Sequence, residues 1–219
     1  MTRSNNKKEI NTEEDPTILD LLAWLEDFYK RELPNYRSYS PEGCEGYFPH
    51  AITPATQKQI NDFEKLFGES LPNDYKTFLL HNQIRHNFRY NYECLDIKSV
   101  ISEWRGMNKL LDKGVFDDGR IGRHKKEHFG NWKGKKIKEV WWSKKWLPIS
   151  KDSCGNMKCI DFDPAKNGRK YQIMSMEIQD GQGPFVSNDK SFTRYLEWFV
   201  TYLRLGKYEV YDWGVEITS

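Results

Sequence analysis

Three short apolar-rich segments follow one another between residues 146 and 178, with only turn-length links between them. This arrangement limits the folds open to the chain more than any other feature. Trp146-Leu147-Pro148-Ile149, Met157 to Phe162 and Tyr171 to Ile178 read as strands. The links are Asp152-Ser153-Cys154-Gly155-Asn156 and Asp163-Pro164-Ala165-Lys166-Asn167-Gly168, both turns by composition. Links this short carry no crossover, so the strands are expected to pair antiparallel. Met157 to Phe162 alternates as a half-buried strand does, and Gln172, Met174 and Met176 fall on one face of the next. Ile137 to Trp142 is predicted as a further strand, and Gly181, Gly183 and Pro184 break the series.

Helices surround this region in sequence. Ile18, Leu21, Leu22, Leu25 and Phe28 recur at three- and four-residue spacing, with Trp24 broadening the stripe. Asp15 is the expected N-cap, Pro16 the first helical residue and Pro34 the stop. Thr53-Pro54 is read as the opening of a second helix whose buried face is Ile60, Phe63, Leu66 and Phe67, ended by Gly68. A third follows Pro72, with Tyr75, Phe78, Leu79 and Asn82 on one side. The tight link predicts that these two helices form an αα-hairpin. A strand is expected within Tyr90 to Ile97, then a helix over Ser99 to Leu111 that Gly114 stops. Phe192, Tyr195, Leu196, Phe199, Val200 and Leu203 give the clearest stripe, capped by Asp189 or Ser191 and ended by Gly206. Helices segregated against an antiparallel sheet make the expected class α+β. Residues 1–15 read as a flexible tail, 16–49 as a helix with an aromatic loop, and 50–219 as the main domain.

Composition narrows the function classes. Eight Trp, twelve Tyr and twelve Phe in 219 residues mark a chain that folds. No run of 18 apolar residues offers a membrane span. The polar N-terminus lacks a secretory signal, so a cytoplasmic protein with reduced cysteines is expected. The net charge of +2 selects no partner. Residues 120–145 are different: ten lysines and arginines stand there against Glu127 and Glu139, interleaved with Trp132, Trp141, Trp142 and Trp146. Such a stretch suits single-stranded nucleic acid, an acidic protein, or a solvated loop followed by core tryptophans.

Chemistry-bearing motifs are sparse. His124 and His128 have helical ligand spacing but no third ligand nearby. Cys154 and Cys159 lack the further pair that structural zinc needs, and Cys44 and Cys94 are not paired in sequence. Asp161 and Asp163 could act as an acid–base pair. The economical reading is a strand anchor and a turn starter before Pro164. No nucleophile elbow, phosphate loop or dinucleotide fingerprint is present. No catalytic residue, metal or cofactor is expected, and the chain is not expected to be an enzyme.

An ordered series of motifs resembles the SMI1/KNR4 family, also called the SUKH superfamily. It runs from Ile52-Thr53-Pro54-Ala55-Thr56 through Ile60 and Phe63-Glu64 to Phe67-Gly68-Glu69-Ser70-Leu71-Pro72-Asn73-Asp74-Tyr75-Lys76. Leu95 to Trp104 and Met107 follow, then Trp146-Leu147-Pro148-Ile149, Asp152, Gly155-Asn156 and Cys159-Ile160-Asp161-Phe162-Asp163-Pro164. Gly168, Gln172-Ile173 and Ser191-Phe192-Thr193-Arg194-Tyr195-Leu196 complete it. The resemblance covers roughly residues 50 to 206. Two positions depart from it. Asn82 is followed by Gln83-Ile84 instead of two glycines, and Tyr171 stands where a glycine is usual beside the glutamine. The signature residues Gly68, Leu71, Pro72, Tyr75, Trp146, Pro148, Asp152, Gly155, Asp161, Asp163, Pro164 and Phe192 are expected to be structural.

The resemblance implies protein binding. Bacterial members resemble immunity proteins that bind and block a cognate polymorphic toxin domain, often a nuclease, without catalysis. Fungal relatives are linked to cell-wall synthesis and signalling, which makes a regulatory scaffold the second reading. Nucleic-acid binding through 120–145 is the third, and a membrane partner is not expected. The candidate partner contacts are Tyr39, Tyr47, Arg120, Arg123, Trp132 and Tyr211. An acidic face against a nuclease would draw on Glu42, Glu45, Asp74, Asp96 or Glu103. Nothing in the sequence speaks to oligomeric state.

Overall fold

The predicted strands pair as the short links require. In the computed structural model, which describes residues 15–33, 50–88, 92–116, 136–177, 183–187, 189–211 and 214–218, β5 (Trp146–Lys151), β6 (Met157–Asp161) and β7 (Gln172–Glu177) are successive antiparallel neighbours. They are the middle of a six-stranded sheet that also holds β3 (Asn87–Phe88), β4 (Tyr92–Cys94) and β8 (Gly183–Val186), in the order β3-β4-β5-β6-β7-β8. β8 falls where Gly183 and Pro184 suggested a break; Pro184 is tolerated there because β8 is an edge strand. Two small pairs stand apart: β1 (His50–Ala51) with β2 (Ile84–Arg85), and the hairpin β9 (Tyr208–Tyr211) with β10 (Gly214–Ile217).

Both faces of the sheet are buried, so Met157 to Phe162 is not half buried. Leu147, Ile149, Ile160, Phe162 and Ile173 face one core, shared with the helices α1 (Ile18–Glu32), α2 (Gln57–Phe67), α3 (Asn73–His81) and α5 (Phe192–Arg204). Trp146, Met157, Cys159, Met174 and Met176 face a second, smaller core. Helix α4 (Ile97–Asp112) serves both: Ile97 and Val100 join the first core and Met107 the second. Each fully buried Leu or Phe contributes about 1.5–3 kcal/mol. The predicted strand over Ile137 to Trp142 is absent. Its backbone forms bends that lie across the second core, and Ile137, Trp141 and Trp142 pack downward into that core.

β5 carries a bulge between Pro148 and Ser150. Pro148 pairs with Cys159, then Ser150 with Lys158 and Lys151 with Met157. The extra residue breaks strict alternation, as bulges do.

The helix boundaries correct two expected caps. Thr17, not Asp15, caps α1 through a capping box with Asp20. Thr56, not Thr53, caps α2 through the same device with Gln59. In both, the three-residue spacing of the capping box outweighs a threonine or aspartate before proline. Asp15 instead accepts a 2.6 Å hydrogen bond from Arg194 on α5, which ties that end of the expected tail to the domain. Gly68 ends α2 in the left-handed conformation, φ 78. Leu66 is 44% exposed, one position off the buried row of Ile60, Phe63 and Phe67. Helices α2 and α3 do not form the expected mutually packed hairpin: α2 packs on α4, and α3 on α1 and α5. Ser191, one of the two expected caps, caps α5.

Candidate functional site

Two polar clusters interrupt the apolar faces of the sheet, and both stem from β6. The first holds Asp161, the expected strand anchor. Its side chain is fully buried beside Trp146, its register partner on β5. Oδ2 accepts a hydrogen bond from Gln172 Nε2 (2.9 Å), and Oδ1 one from the Asp163 amide (3.0 Å). The indole N–H of Trp146 faces the same carboxyl group without closing a bond of ordinary geometry. Burial pushes the Asp161 carboxyl up to about 6, against the downward pull of Gln172 and the Asp163 amide. Gln172 also donates to the Lys136 carbonyl (2.9 Å), which accepts the Ala165 amide as well (3.2 Å). Gly168 lies against this carbonyl so closely that a Cβ would stand 2.0 Å from it. The cluster therefore pins the 163–168 turn to the segment covering the second core.

This geometry answers the carboxylate-pair question. The strand ends at Asp161, and the Asp163 carboxylate turns outward to an ion pair with Lys138. The two carboxylates share no substrate-facing position.

Other signature residues sit where packing uses them. Tyr75 is buried, edge-on to Phe192 at 4.9 Å, and Leu71 is buried behind Pro72, which precedes α3. Asp152 accepts from the amides of Cys154 and Asn156 and from Asn156 Nδ2, closing the β5–β6 turn in which Gly155 has φ 88. Tyr171, at the position where the resemblance places glycine, has φ 71. Among the described residues it is the one side-chain-bearing position with positive φ. Its ring meets Phe162 edge-on at 5.1 Å, a contact that holds a conformation costing about 1–3 kcal/mol.

The second cluster opens outward. On the helix-bearing face, beyond the apolar rows, Lys158 of β6 lies beside Ser175 and Glu177 of β7 and Tyr92 of β4. The Lys158 ammonium donates to Ser175 Oγ, stands 3.9 Å from Glu177 Oε1 and sits 4.5 Å above the Tyr92 ring. Tyr92 Oη donates to Glu177 Oε1 at 3.0 Å. Burial, reinforced by Glu177, pushes the Tyr92 hydroxyl well above its ordinary range, so it stays protonated and keeps donating. These groups floor a hollow of about 620 Å³. Phe185, Tyr195 and Trp198 form its aromatic walls, and Asp152, Asn156, Ser187 and Asp189 its polar rim. Asp189 accepts from Ser187 Oγ at 2.7 Å. A smaller hollow of about 300 Å³ shares Ser187 and Asp189 and carries Lys136, Arg169 and Lys190.

The sequence-based candidates fall elsewhere. Tyr39, Tyr47, Arg120, Arg123 and Trp132 lie outside the described residues, as do Glu42, Glu45, Cys44, His124 and His128. Tyr211 is placed only by its backbone, paired with Gly214 in the terminal hairpin. The three described acids considered for a binding face have internal duties. Asp74 accepts the amide and hydroxyl of Thr193, both at 3.0 Å, Asp96 caps α4, and Glu103 pairs with Lys151 at 2.7 Å. Three lysines in the described part of the basic run are engaged as well. Lys138 pairs with Asp163, Lys144 with Asp112 and Lys145 with Glu69, while Trp142 and Trp146 are core residues. Lys136 is exposed and Trp141 half-buried in the same stretch. Cys94 and Cys159 are buried and Cys154 is exposed. Among the described residues no three His, Cys, Asp or Glu converge as metal ligands, and no helix is long and apolar enough to cross a membrane.

Asp152, Asn156 and Asp189 stood out in the sequence for other roles; the rest of the hollow was missed because it comes from β4, β6, β7, β8, the link after β8 and α5. The available signal was polar Lys158, Ser175 and Glu177 between methionines and cysteine on paired strands.

The sequence pattern of the SMI1 / KNR4 family (SUKH-1) matches residues 54–198, more than half the chain, a span that includes the Leu71–Pro72 link, the Asp161–Gln172 anchor and the Phe192 helix start. The chain belongs to the SMI1/KNR4 family. Among curated proteins, none matches it closely enough to count as a relative. SMI1/KNR4 membership supports a protein–protein interaction role of the SUKH type. Helix α1 and the β9–β10 hairpin lie outside the matched range, yet Ile18, Leu21, Leu25, Phe28 and Val215 belong to the same core as the family elements.

Proposed function

We propose that the protein is an immunity protein, which binds a cognate polymorphic toxin domain and blocks it without catalysis. The observation that carries this reading is the aromatic hollow over Lys158 and Glu177 in a chain of the SMI1/KNR4 family. Its floor is cross-linked by hydrogen bonds between rigid strands, so a partner meets a surface already shaped, and little ordering entropy opposes binding. Aromatic walls around a small polar floor are the composition of an interface centre. The hollow carries carboxylates, the charge an inhibitor of a cationic nuclease presents. Tyr39, Tyr47, Arg120, Arg123, Trp132 and Tyr211 are proposed as further partner contacts.

Affinity capture from the native host, read by mass spectrometry, tests the proposal. Wild type is run beside Trp198→Ala, with both shown folded by circular dichroism. One stoichiometric protein containing a toxin domain, lost in the variant, is the expected result. Recovery of wall-synthesis or signalling proteins instead replaces immunity with the scaffold reading. Only nuclease-sensitive material overturns protein binding.

A further inference from the structure

We infer that the hollow over β6 and β7 receives the guanidinium of an arginine side chain presented by a protein partner. This deepens the binding proposal and rests on it for the identity of the presenter, but its chemistry is argued from the hollow alone.

The charge inside the hollow differs in sign from that of the whole chain. Among its described lining residues, Asp152, Glu177 and Asp189 supply three carboxylates and Lys158 the one ammonium. Even with Asp189 assigned to the smaller basic hollow that shares it, carboxylates outnumber the ammonium. Lys158 is already paired with Glu177, so it repels an incoming cation less than a free lysine would. An anion entering here meets the carboxylates of the rim; a cation meets attraction.

The walls add a second, independent preference. Tyr92, Phe185, Tyr195 and Trp198 line it with aromatic rings, of which Tyr92 already carries Lys158 and Trp198 lies 4.3 Å from Tyr202. Lys158 shows that these rings accept a cation, because its ammonium lies 4.5 Å over Tyr92 and 5.8 Å from Phe185. Aromatic faces attract cations electrostatically, and arginine stacks on them better than lysine does. Its planar fork also donates to two acceptors at once, which suits carboxylates spread around a rim. Its three-methylene stem can lie against Phe185 and Trp198 while the head reaches inward. At about 620 Å³ the hollow has room for one such side chain with the peptide that carries it.

The test is a titration of the full-length ¹⁵N-labelled chain, following the Trp198 indole N–H by NMR. The probe is the blocked tripeptide acetyl-Gly-Arg-Gly-amide, and its control carries citrulline, which keeps the shape and loses the charge. The expected result is a Trp198 shift with the arginine peptide and affinity about tenfold weaker for citrulline. Asp189→Asn, which keeps the side-chain shape, weakens the arginine peptide by about three- to tenfold. Lys158→Met removes the resident cation and tightens it by about threefold or more. These opposite responses separate charge recognition from a merely structural effect. Equal binding of the two peptides, no Trp198 shift with either, or variants that respond in the same direction overturns the inference. Tighter binding of free arginine than of the blocked peptide overturns the partner side chain in favour of a small molecule. The titration needs no natural partner, so its failure is distinct from a failure of the capture experiment.

Discussion

Asp161 and Lys158 stand three residues apart on one strand, on opposite faces of one sheet, and they have opposite fates. Asp161 is sealed. Its cluster reaches backbone groups, the Asp163 amide directly and the Lys136 carbonyl through Gln172. Lys158 is open. Its partners are the side chains of Ser175, Glu177 and Tyr92. Backbone partners tie the first cluster to a turn, whereas side-chain partners leave the second as a floor between strands with one side toward the hollow. A polar group within a sheet thus becomes anchor or receptor according to what it bonds to, more than according to its own chemistry.

The hardest test of the sealed side is Gly168→Ala. The added methyl meets a backbone carbonyl at 2.0 Å, so the turn must shift and take the Gln172 bridge with it. A loss of about 3 kcal/mol or more is expected in denaturant unfolding; a loss below ~1 kcal/mol would show the turn to be loose. Asp161→Ala comes next, leaving Gln172 Nε2 one partner short and the Asp163 amide without its side-chain acceptor, for about 2–3 kcal/mol.

The same carboxyl has a pH signature. Its folded value is about 6 against an ordinary 3.8, so protonation favours the fold. The stabilisation is complete below the ordinary value and is lost as pH rises through about 6. Relative to Asp161→Asn, wild type should therefore gain about 1–3 kcal/mol between pH 7 and pH 4. Parallel curves for the two proteins would place a charged, solvated aspartate at the site. On the hollow side, Lys158→Met should cost about 1–2 kcal/mol, less than Asp161→Ala, because Ser175 Oγ and Glu177 lose a partner while the replacement keeps the stem packing. A loss comparable to Asp161→Ala would erase the contrast. Smallest is Tyr171→Gly: relief of the positive φ offsets the lost ring contact with Phe162, leaving a change of about 0.5 kcal/mol in either direction.

The sequence exposed the parts of the fold governed by local rules. The turns at 152–156 and 163–168 announced β5, β6 and β7, and the stripe from Phe192 to Leu203 announced α5. Capping boxes were legible at Thr17 and Thr56, though proline positions pulled the expected starts earlier. What stayed hidden depends on register and distance. Ile137 to Trp142 has strand composition, but Trp104 and Asn108 of α4 hold it as a cover, through bonds to the Lys144 carbonyl and from the Trp142 indole. β8 was obscured by Gly183 and Pro184, which an edge strand accommodates. The hairpin at 208–217 has strands too short for alternation to stand out. The Asp161 anchor could be read because Asp161, Asp163 and Pro164 adjoin in sequence. The hollow could not, because Tyr92, Lys158, Glu177 and Trp198 meet only after the strands have paired and α5 has docked.

The bulge in β5 has a consequence for how such a protein can change over time. By placing Ile149 and Ser150 on the same side, it lets one strand set a core residue next to a buried hydroxyl residue that pairs with Lys158 of the hollow. Ile149 answers to the packing beneath α5, and Ser150 to the neighbours Lys158 and Tyr195. Positions 158, 175 and 177 likewise alternate with apolar core residues on their strands, Ser175 fully buried and Lys158 and Glu177 partly exposed. On the binding role proposed for the hollow, substitutions there would alter recognition while the neighbouring core rows keep the fold, so a lineage facing a changing partner could keep its architecture and renew its specificity a residue at a time.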